Sequence, residues 1–307
     1  MKLTMNLGKR SYDIVLKRGC LKNLYQFTNL AGRKAFIVTD SGVPAEYAAC
    51  VQAQCEDGTV YTVPQGEGSK SLKVYGQVLQ AMLDFGMTRK DVVIAVGGGV
   101  VGDLAGFCAA SYMRGVDFVN CPTTTLSQID SSIGGKTAVD LGETKNIIGA
   151  FWQPGVVLVD PDTLATLPHR HFINGLAEAV KEGIIADPQL FALFECPHPE
   201  ENIEQIIYRS LLMKKNVVEQ DERESGVRAC LNFGHTIGHG IEAVKGIKGR
   251  RVNGLYHGEC VALGMLPMIE DGALVKRVRA VYRTLGLPTR TGVDKRKVLE
   301  YMRHDKK

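Results

Sequence analysis

The feature that most constrains this chain is a change of texture about halfway along it. Up to about residue 160, short β-branched runs alternate with stretches of helical length. They are "KAFIVTD" (34–40), "TVYTVP" (59–64), "DVVIAVGGG" (91–99), "GVDFVNCP" (115–122) and "GVVLVD" (155–160), with the helical "SLKVYGQVLQAMLDFG" at 71–86. Strands separated by helix-length connections predict an α/β domain with a largely parallel sheet. Beyond about Leu164 such runs become scarce. Leu176–Ile185, Ile203–Val218, Phe233–Val244, Val261–Leu274 and Val275–Leu285 all read as helices. The predicted organisation is an α/β domain over 1–163 and an all-α domain over 164–307, and a cleft between two domains is a common place for a ligand.

Bulk properties exclude several classes. A net charge of +4 over 307 residues argues against a nucleic-acid binder driven by charge, while leaving room for a local basic pocket. No run of 18 apolar residues predicts a membrane span, and the charged N-terminus lacks a signal-peptide core. None of the eight cysteines forms C-x-x-C, and most sit in apolar runs such as "GFCAASY". We expect reduced, mostly buried thiols in a cytoplasmic protein.

Three groups of residues carry possible chemistry. In "VVIAVGGGVVGDLAGFCAASYM", Gly97, Gly99 and Gly102 match G-x-G-x-x-G between a strand and a helix. Such a turn lets backbone N–H groups approach a diphosphate at a helix N-terminus, although many α/β turns are glycine-rich without binding anything. No ribose-binding acid stands at the usual distance; Asp40, at the end of an earlier strand, is a candidate for that role or for a helix cap. The second group is "CPTTTLSQIDSSIGGKTAVDLGETKNIIGAFWQPG" (121–155), with Asp130, Lys136, Lys145 and Asn146. Read as an ordered loop, it is too apolar for disorder, and its lysines and hydroxyls suit phosphate groups; the plainer alternative is a solvated turn.

The third group is a possible metal set. "GLAEAVKEG" carries Glu178, Lys181 and Glu182; "LNFGHTIGHGIE" carries His235 and His239 on one helical face; "LYHGECVALGM" carries His257. One carboxylate and two imidazoles with an open fourth position is a catalytic zinc arrangement. The H-E-x-x-H glutamate is absent, since Thr236 stands there, so one, both or neither of His235 and His239 could bind. Cys260 is a weak rival on an apolar face. Glycines beside the histidines would let helices approach closely.

Together these stretches resemble 3-dehydroquinate synthase, a family of sugar-phosphate cyclases in the shikimate pathway. The likeness runs from about Asp40 to the C-terminus. It rests on "GGGVVGDLAGFCAASYMRG", the 122–155 run, "TLPHRHFINGLAEAVKEG", "DERESGVRACLNFGHTIGH", "HGECVALGM" and the final "DKK"; no one of them is specific alone. The resemblance implies a Rossmann-like NAD-binding domain, a helical metal-binding domain, and zinc or cobalt ligands Glu178, His235 and His257. It implies NAD contacts from Asp40, Glu67, Lys70, Gly99, Val100, Val101, Gly102, Asp103, Thr123, Thr124, Lys136, Lys145, Thr163 and Thr166. It implies substrate contacts from Arg114, Asp130, Lys136, Asn146, Lys181, Lys214, Arg228, Asn232, His239 and Lys306 or Lys307. His239 would relay a proton rather than bind metal.

The implied reaction converts 3-deoxy-arabino-heptulosonate 7-phosphate to 3-dehydroquinate and phosphate. It proceeds by transient NAD oxidation, phosphate elimination, reduction and aldol closure, in a homodimer. Two departures stand out. His171 replaces the family's usual glutamate, and the chain stops where the family usually continues, so we expect a truncated end. Rival readings are another sugar-phosphate cyclase, an NAD- and metal-dependent polyol or alcohol dehydrogenase, and a non-catalytic phosphate-binding scaffold.

Overall fold

The computed structural model describes residues 1–142, 144–244 and 254–303. The chain divides into two compact units, Met1–Leu167 and Pro168–Lys307. The division falls a few residues beyond Thr163. The short helical segment Pro161–Thr166 is tied back into the first unit, where Gln128 donates to Thr163 Oγ1 at 2.9 Å and Thr166 Oγ1 meets Tyr47 Oη at 2.8 Å.

The described residues of the first unit form nine strands. β1 (Lys2–Met5), β2 (Tyr12–Leu16), β3 (Lys34–Asp40), β4 (Asp57–Val63), β5 (Val92–Gly97), β6 (Asp117–Pro122) and β9 (Val156–Val159) form one sheet, ordered β1-β2-β9-β6-β5-β3-β4. All neighbours in it are parallel except the edge pair β1–β2, as the buried β-branched runs predicted. Side chains alternate across the sheet. Ala35 and Ile37 of β3 enter one core with Ala48 and Val51 of α1 (Ala45–Gln52). Phe36 and Val38 enter the other, with Val78 and Met82 of α2 (Leu72–Asp84) and Val101, Leu104 and Ala105 of α3 (Gly99–Ser111). β1 and β2 are strands the texture reading had not singled out.

The 121–155 run is not a loop. It holds a π-helical turn, Ser127–Ser131, then an antiparallel ribbon of β7 (Lys136–Leu141) and β8 (Thr144–Phe151). Gly134 and Gly135, at φ +92° and +69°, turn the chain into the ribbon, a conformation that favours glycine.

The second unit is helical among its described residues: α4 (His169–Ile185), α5 (Pro188–Leu193), α6 (Ile203–Gln220), α7 (His235–Ala243), α8 (His257–Met265), α9 (Gly272–Leu285) and α10 (Lys295–Met302). α4 begins earlier than its apolar spacing suggested and is buried continuously from Asn174 to Gly183. It packs against α5, α6 and α8, and α7 packs against α8 and α10. The predicted helix 261–274 is two elements. Pro267 removes a backbone donor, a 3-10 turn follows Met265, and Asp271 caps α9 through the Ala273 N–H at 2.7 Å. α7 starts after Gly234, whose φ of +79° breaks the helix predicted from Phe233.

No described helix is long and apolar enough to cross a membrane. All eight cysteines are free; Cys20, Cys108, Cys121 and Cys260 are buried, whereas Cys196 and Cys230 are exposed, so burial is less general than expected.

Candidate functional site

Parallel strands place their carboxyl ends along one edge, where α/β sheets bind ligands. At that edge Asp40 ends β3, Gly97 ends β5, and Thr123 and Thr124 follow β6. Glu67 and Lys70 follow β4, and Thr163 and Thr166 follow β9. The connections from β3 and β5 run to opposite sides, so their ends flank a switch point. Asp40 is buried and accepts from the Gly42 N–H at 2.7 Å. Gly98 is extended and caps α3, whose first turn holds Gly99, Val100, Val101, Gly102 and Asp103. Free N–H groups of such a turn favour an anion. A Cβ at Gly97 would fall 2.6 Å from Val101 Cγ2 and one at Gly99 3.0 Å from Ser131 Oγ, so glycine is what keeps this turn tight.

Lys70 is 4% exposed, and its cationic head is paired rather than idle. It donates to Asp103 Oδ2 at 2.7 Å and to Asn146 Oδ1, with Glu67 Oε1 at 3.6 Å. Burial would depress the Lys70 ammonium; Asp103 and then Glu67 outweigh it and raise it. Asn146, at φ +53°, also donates its N–H to Asp140 Oδ1 at 2.7 Å, and the Asp140 N–H reaches Lys70 O at 2.7 Å. The ribbon residue Asn146, the turn residue Asp103 and Lys70 thus form one cluster.

Lys136 and Lys145 stand exposed on the ribbon, and Asp130 lies in the π-helical turn, a feature frequent at functional sites. Arg114 is not brought to this edge. It precedes β6, at the far end of α3 from the glycine turn, in a strained bend with φ +68°. Thr124, Thr163 and Thr166 spend their hydroxyls on internal bonds to Ser127, Gln128 and Tyr47.

In the second unit, Glu178 of α4, His235 of α7 and His257 of α8 converge, with one ligand atom from each lying within 4.8 Å of the others. Glycine permits this. A Cβ at Gly258 would lie 1.9 Å from Asn174 O on α4, and one at Gly264 2.1 Å from Gly234 O beside α7. Glu178 is 1% exposed. Its Oε2 accepts from Lys181 Nζ, while Oε1 has no hydrogen-bond partner and faces His235 Nε2 at 3.7 Å and His257 Nε2 at 3.5 Å. A buried orphan carboxylate oxygen costs free energy unless something cationic meets it.

The far nitrogens are held too. His235 Nδ1 lies 3.3 Å from Phe233 O, and His257 Nδ1 3.2 Å from Glu242 Oε2. Burial pushes His235 down to about 4, against the pull of Glu178. Burial also acts downward on His257, but Glu178 and Glu242 outweigh it and raise it to about 9. Burial would raise Glu178; Lys181, His235 and His257 together hold it well below the usual carboxylate range. The donor set, its orphan oxygen and the inward Nε2 atoms fit a divalent metal with an open position.

His239 lies one turn along α7, its ring 5.4 Å from that of His235 and 5.9 Å from that of His257. Cys260 is fully buried in an apolar cluster with Ile241, Leu263 and Val298, away from the ligand role. Lys214 and Arg228 are buried cations. The Arg228 backbone N–H and those of Ser225 and Gly226 converge on Asp221, and Asn232 Nδ2 donates to Glu224 Oε1 at 2.8 Å. His171, the departure noted above, stacks on Tyr256 with centroids 4.7 Å apart, and Arg170 covers the same ring while pairing with Glu259. Lys306 and Lys307 lie outside the described residues.

Sequence reasoning passed over Gln128, Glu224 and Glu242. Gln128 is fully buried and donates to Pro122 O, Asp160 O and Thr163 Oγ1, tying together the ends of β6 and β9. The surrounding stretch "TLSQIDSSI" is mostly polar, so no local pattern marked this amide for burial.

A mostly parallel α/β unit with a glycine turn after β5, followed by a helical unit, is a fold this chain shares with solved sugar-phosphate cyclases. The chain is similar to 2-deoxy-scyllo-inosose synthase, solved with carbaglucose-6-phosphate, NAD+ and Co2+ (TM-score 0.88, 25% identity, 99% of this chain and 87% of that one). It is similar also to 2-epi-5-epi-valiolone synthase from Streptomyces hygroscopicus subsp. jinggangensis, solved with NAD+ and Zn2+ (TM-score 0.81, 29% identity, 95% and 85%). The chain itself belongs to the 3-dehydroquinate synthase family. The family's N-terminal profile matches residues 60–174 and its C-terminal profile residues 175–307. The 3-dehydroquinate synthase of Streptococcus mutans serotype c is 40% identical, over 100% of this chain and 91% of its own length.

Proposed function

We propose that this chain converts 3-deoxy-arabino-heptulosonate 7-phosphate to 3-dehydroquinate and phosphate, as a lyase with NAD and a divalent metal, zinc or cobalt, as resident groups. The observation that carries the reading is the buried Glu178 carboxylate, with one oxygen on Lys181 and the other open between His235 and His257. When bound there, a metal would lower the pKa of a substrate hydroxyl and polarise the ketone formed from it. NAD would accept and return the hydride within one turnover.

The chain's own side chains do the rest. Glu178, His235 and His257 hold the metal, and His239, on the same face of α7, takes the proton of the hydroxyl being oxidised. Lys181, Lys214 and Arg228 supply buried positive charge for anionic groups of the substrate, and Asn232 is aimed by Glu224. Asp40, Glu67, Gly99–Asp103, Thr123, Thr124, Thr163 and Thr166 form the NAD edge. There Lys70 sets the Asp103 carboxylate and the Asn146 amide, and Asp130, Lys136 and Lys145 are the further candidates for contacts with the phosphorylated substrate.

We also propose a homodimer, with Arg114, in the bend between α3 and β6, as a further substrate contact. The eight free cysteines support a cytoplasmic place of action.

The test gives the purified protein heptulosonate phosphate, catalytic NAD and zinc. Phosphate release with dehydroquinate formation and no net NADH is the expected result. Stoichiometric NADH without phosphate would show a dehydrogenase, and turnover of a hexose 6-phosphate alone would show a different cyclase.

A further inference from the structure

His235 and His257 are held in different ways. The His235 side chain is 11% exposed, so packing restrains its ring, and its Nδ1 meets a neutral backbone carbonyl, Phe233 O, at 3.3 Å. His257 is 31% exposed. An imidazole that is a third open to solvent can turn over about its last side-chain torsion, whose energy wells are broad and roughly two-fold. Such a flip would carry Nε2 away from Glu178. Something other than burial has to choose the orientation.

Glu242 stands where that choice is made. It lies on α7 at positions i, i+4 and i+7 with His235 and His239, so all three share one face. Its Oε2 sits 3.2 Å from His257 Nδ1, while His257 Nε2 points the other way, 3.5 Å from Glu178 Oε1. A carboxylate on Nδ1 keeps the proton on that nitrogen and leaves the Nε2 lone pair for a metal. It also makes the imidazole a stronger donor.

We propose that Glu242 is a positioning residue for the metal site, fixing the tautomer and ring orientation of His257 without itself binding the metal. The inference rests on the metal reading above and adds a residue to it. The competing arrangement is visible in the same structure, because ligand atoms of His239, Glu242 and His257 also lie within 4.8 Å of one another. In that arrangement Glu242 would be a ligand and Glu178 would not.

Metal binding, not turnover, separates these. The metal-stripped full chain and its Glu178→Gln and Glu242→Gln variants are titrated with Zn2+ and with Co2+, reading stoichiometry, Kd and the visible Co2+ spectrum. We expect one metal in the wild type, none in Glu178→Gln, and one in Glu242→Gln. The last should show an unchanged Co2+ band pattern and a Kd raised about 10- to 100-fold. Should Glu242→Gln not fold, Glu242→Asp retracts the same oxygen by one methylene and should weaken binding likewise. An unchanged Kd overturns the proposal, as does loss of stoichiometric metal in Glu242→Gln with retention in Glu178→Gln. A wild type that binds no metal overturns this inference and the metal reading together. A wild type that binds metal without releasing phosphate from the heptulosonate overturns the proposed reaction alone and leaves Glu242 to be judged on its Kd.

Discussion

Gly264→Ala should weaken metal binding without touching a ligand. A Cβ at this position would lie 2.1 Å from Gly234 O and 2.8 Å from Gly238 N, both backbone atoms that cannot rotate aside. Ordinary carbon–oxygen approach is about 3.3 Å, so α7 and α8 must part by about 1 Å. Those helices carry His235 and His257, and metal–ligand distances tolerate only about 0.2 Å. Overpacking of this kind costs about 1–3 kcal/mol. Replacing a helical glycine by alanine returns about 0.5–1 kcal/mol of backbone entropy, so the loss in melting stability should be small. Metal binding must then pull the helices back against the strain, which raises Kd roughly 10- to 100-fold. The assay is competitive zinc titration beside thermal melts with and without metal. Gly76→Ala is the control, because that exposed helical position has nothing within 4 Å. It should gain about 0.5–1 kcal/mol and leave zinc affinity unchanged. A Gly264→Ala protein with wild-type zinc Kd would refute the argument that glycine-spaced helices set the metal geometry.

Three further outcomes follow from the geometry. His235→Ala should lose stoichiometric metal, whereas His239→Ala should keep it and lose rate by about 10²- to 10⁴-fold, as metal analysis and steady-state kinetics would show; metal loss in His239→Ala would contradict the split. Lys70→Met should lower stability by about 2 kcal/mol in denaturant melts, because it strands Asp103, although Asp103 is partly solvated and that tempers the cost; an unchanged midpoint would contradict it. Asp221, held down to about 2 chiefly by the Ser225 N–H and then by those of Arg228 and Gly226, has a folded pKa below its unfolded one. Its stabilisation is therefore present above about pH 4 and lost as pH falls through about 2, and Asp221→Asn should flatten the melting-temperature profile in that window.

Much of this was legible from local signals. The buried strand runs, the glycine stop after β5 and the helical second half are short-range patterns, and short-range physics produces them. The 121–155 run misled because its polar residues read as loop chemistry. The period-two alternation in "KTAVDL" was the missed strand signal, with Thr137 and Val139 turned inward. Helix 261–274 was mistaken because apolar spacing continues across Pro267, which the backbone cannot follow.

The sequence by itself determined which residue types were available and which lay on one helical face: the pairing of His235 with His239 follows from spacing alone, and the same spacing holds, unread, for Glu242. Only the tertiary structure decided which of them face Glu178. That choice depends on how α4, α7 and α8 cross at Gly258 and Gly264, and close packing between distant segments leaves no periodic trace in a chain. The same holds for Lys70, which meets Asp103 and Asn146, 33 and 76 residues away. A buried lysine becomes tolerable only once the fold delivers its partners.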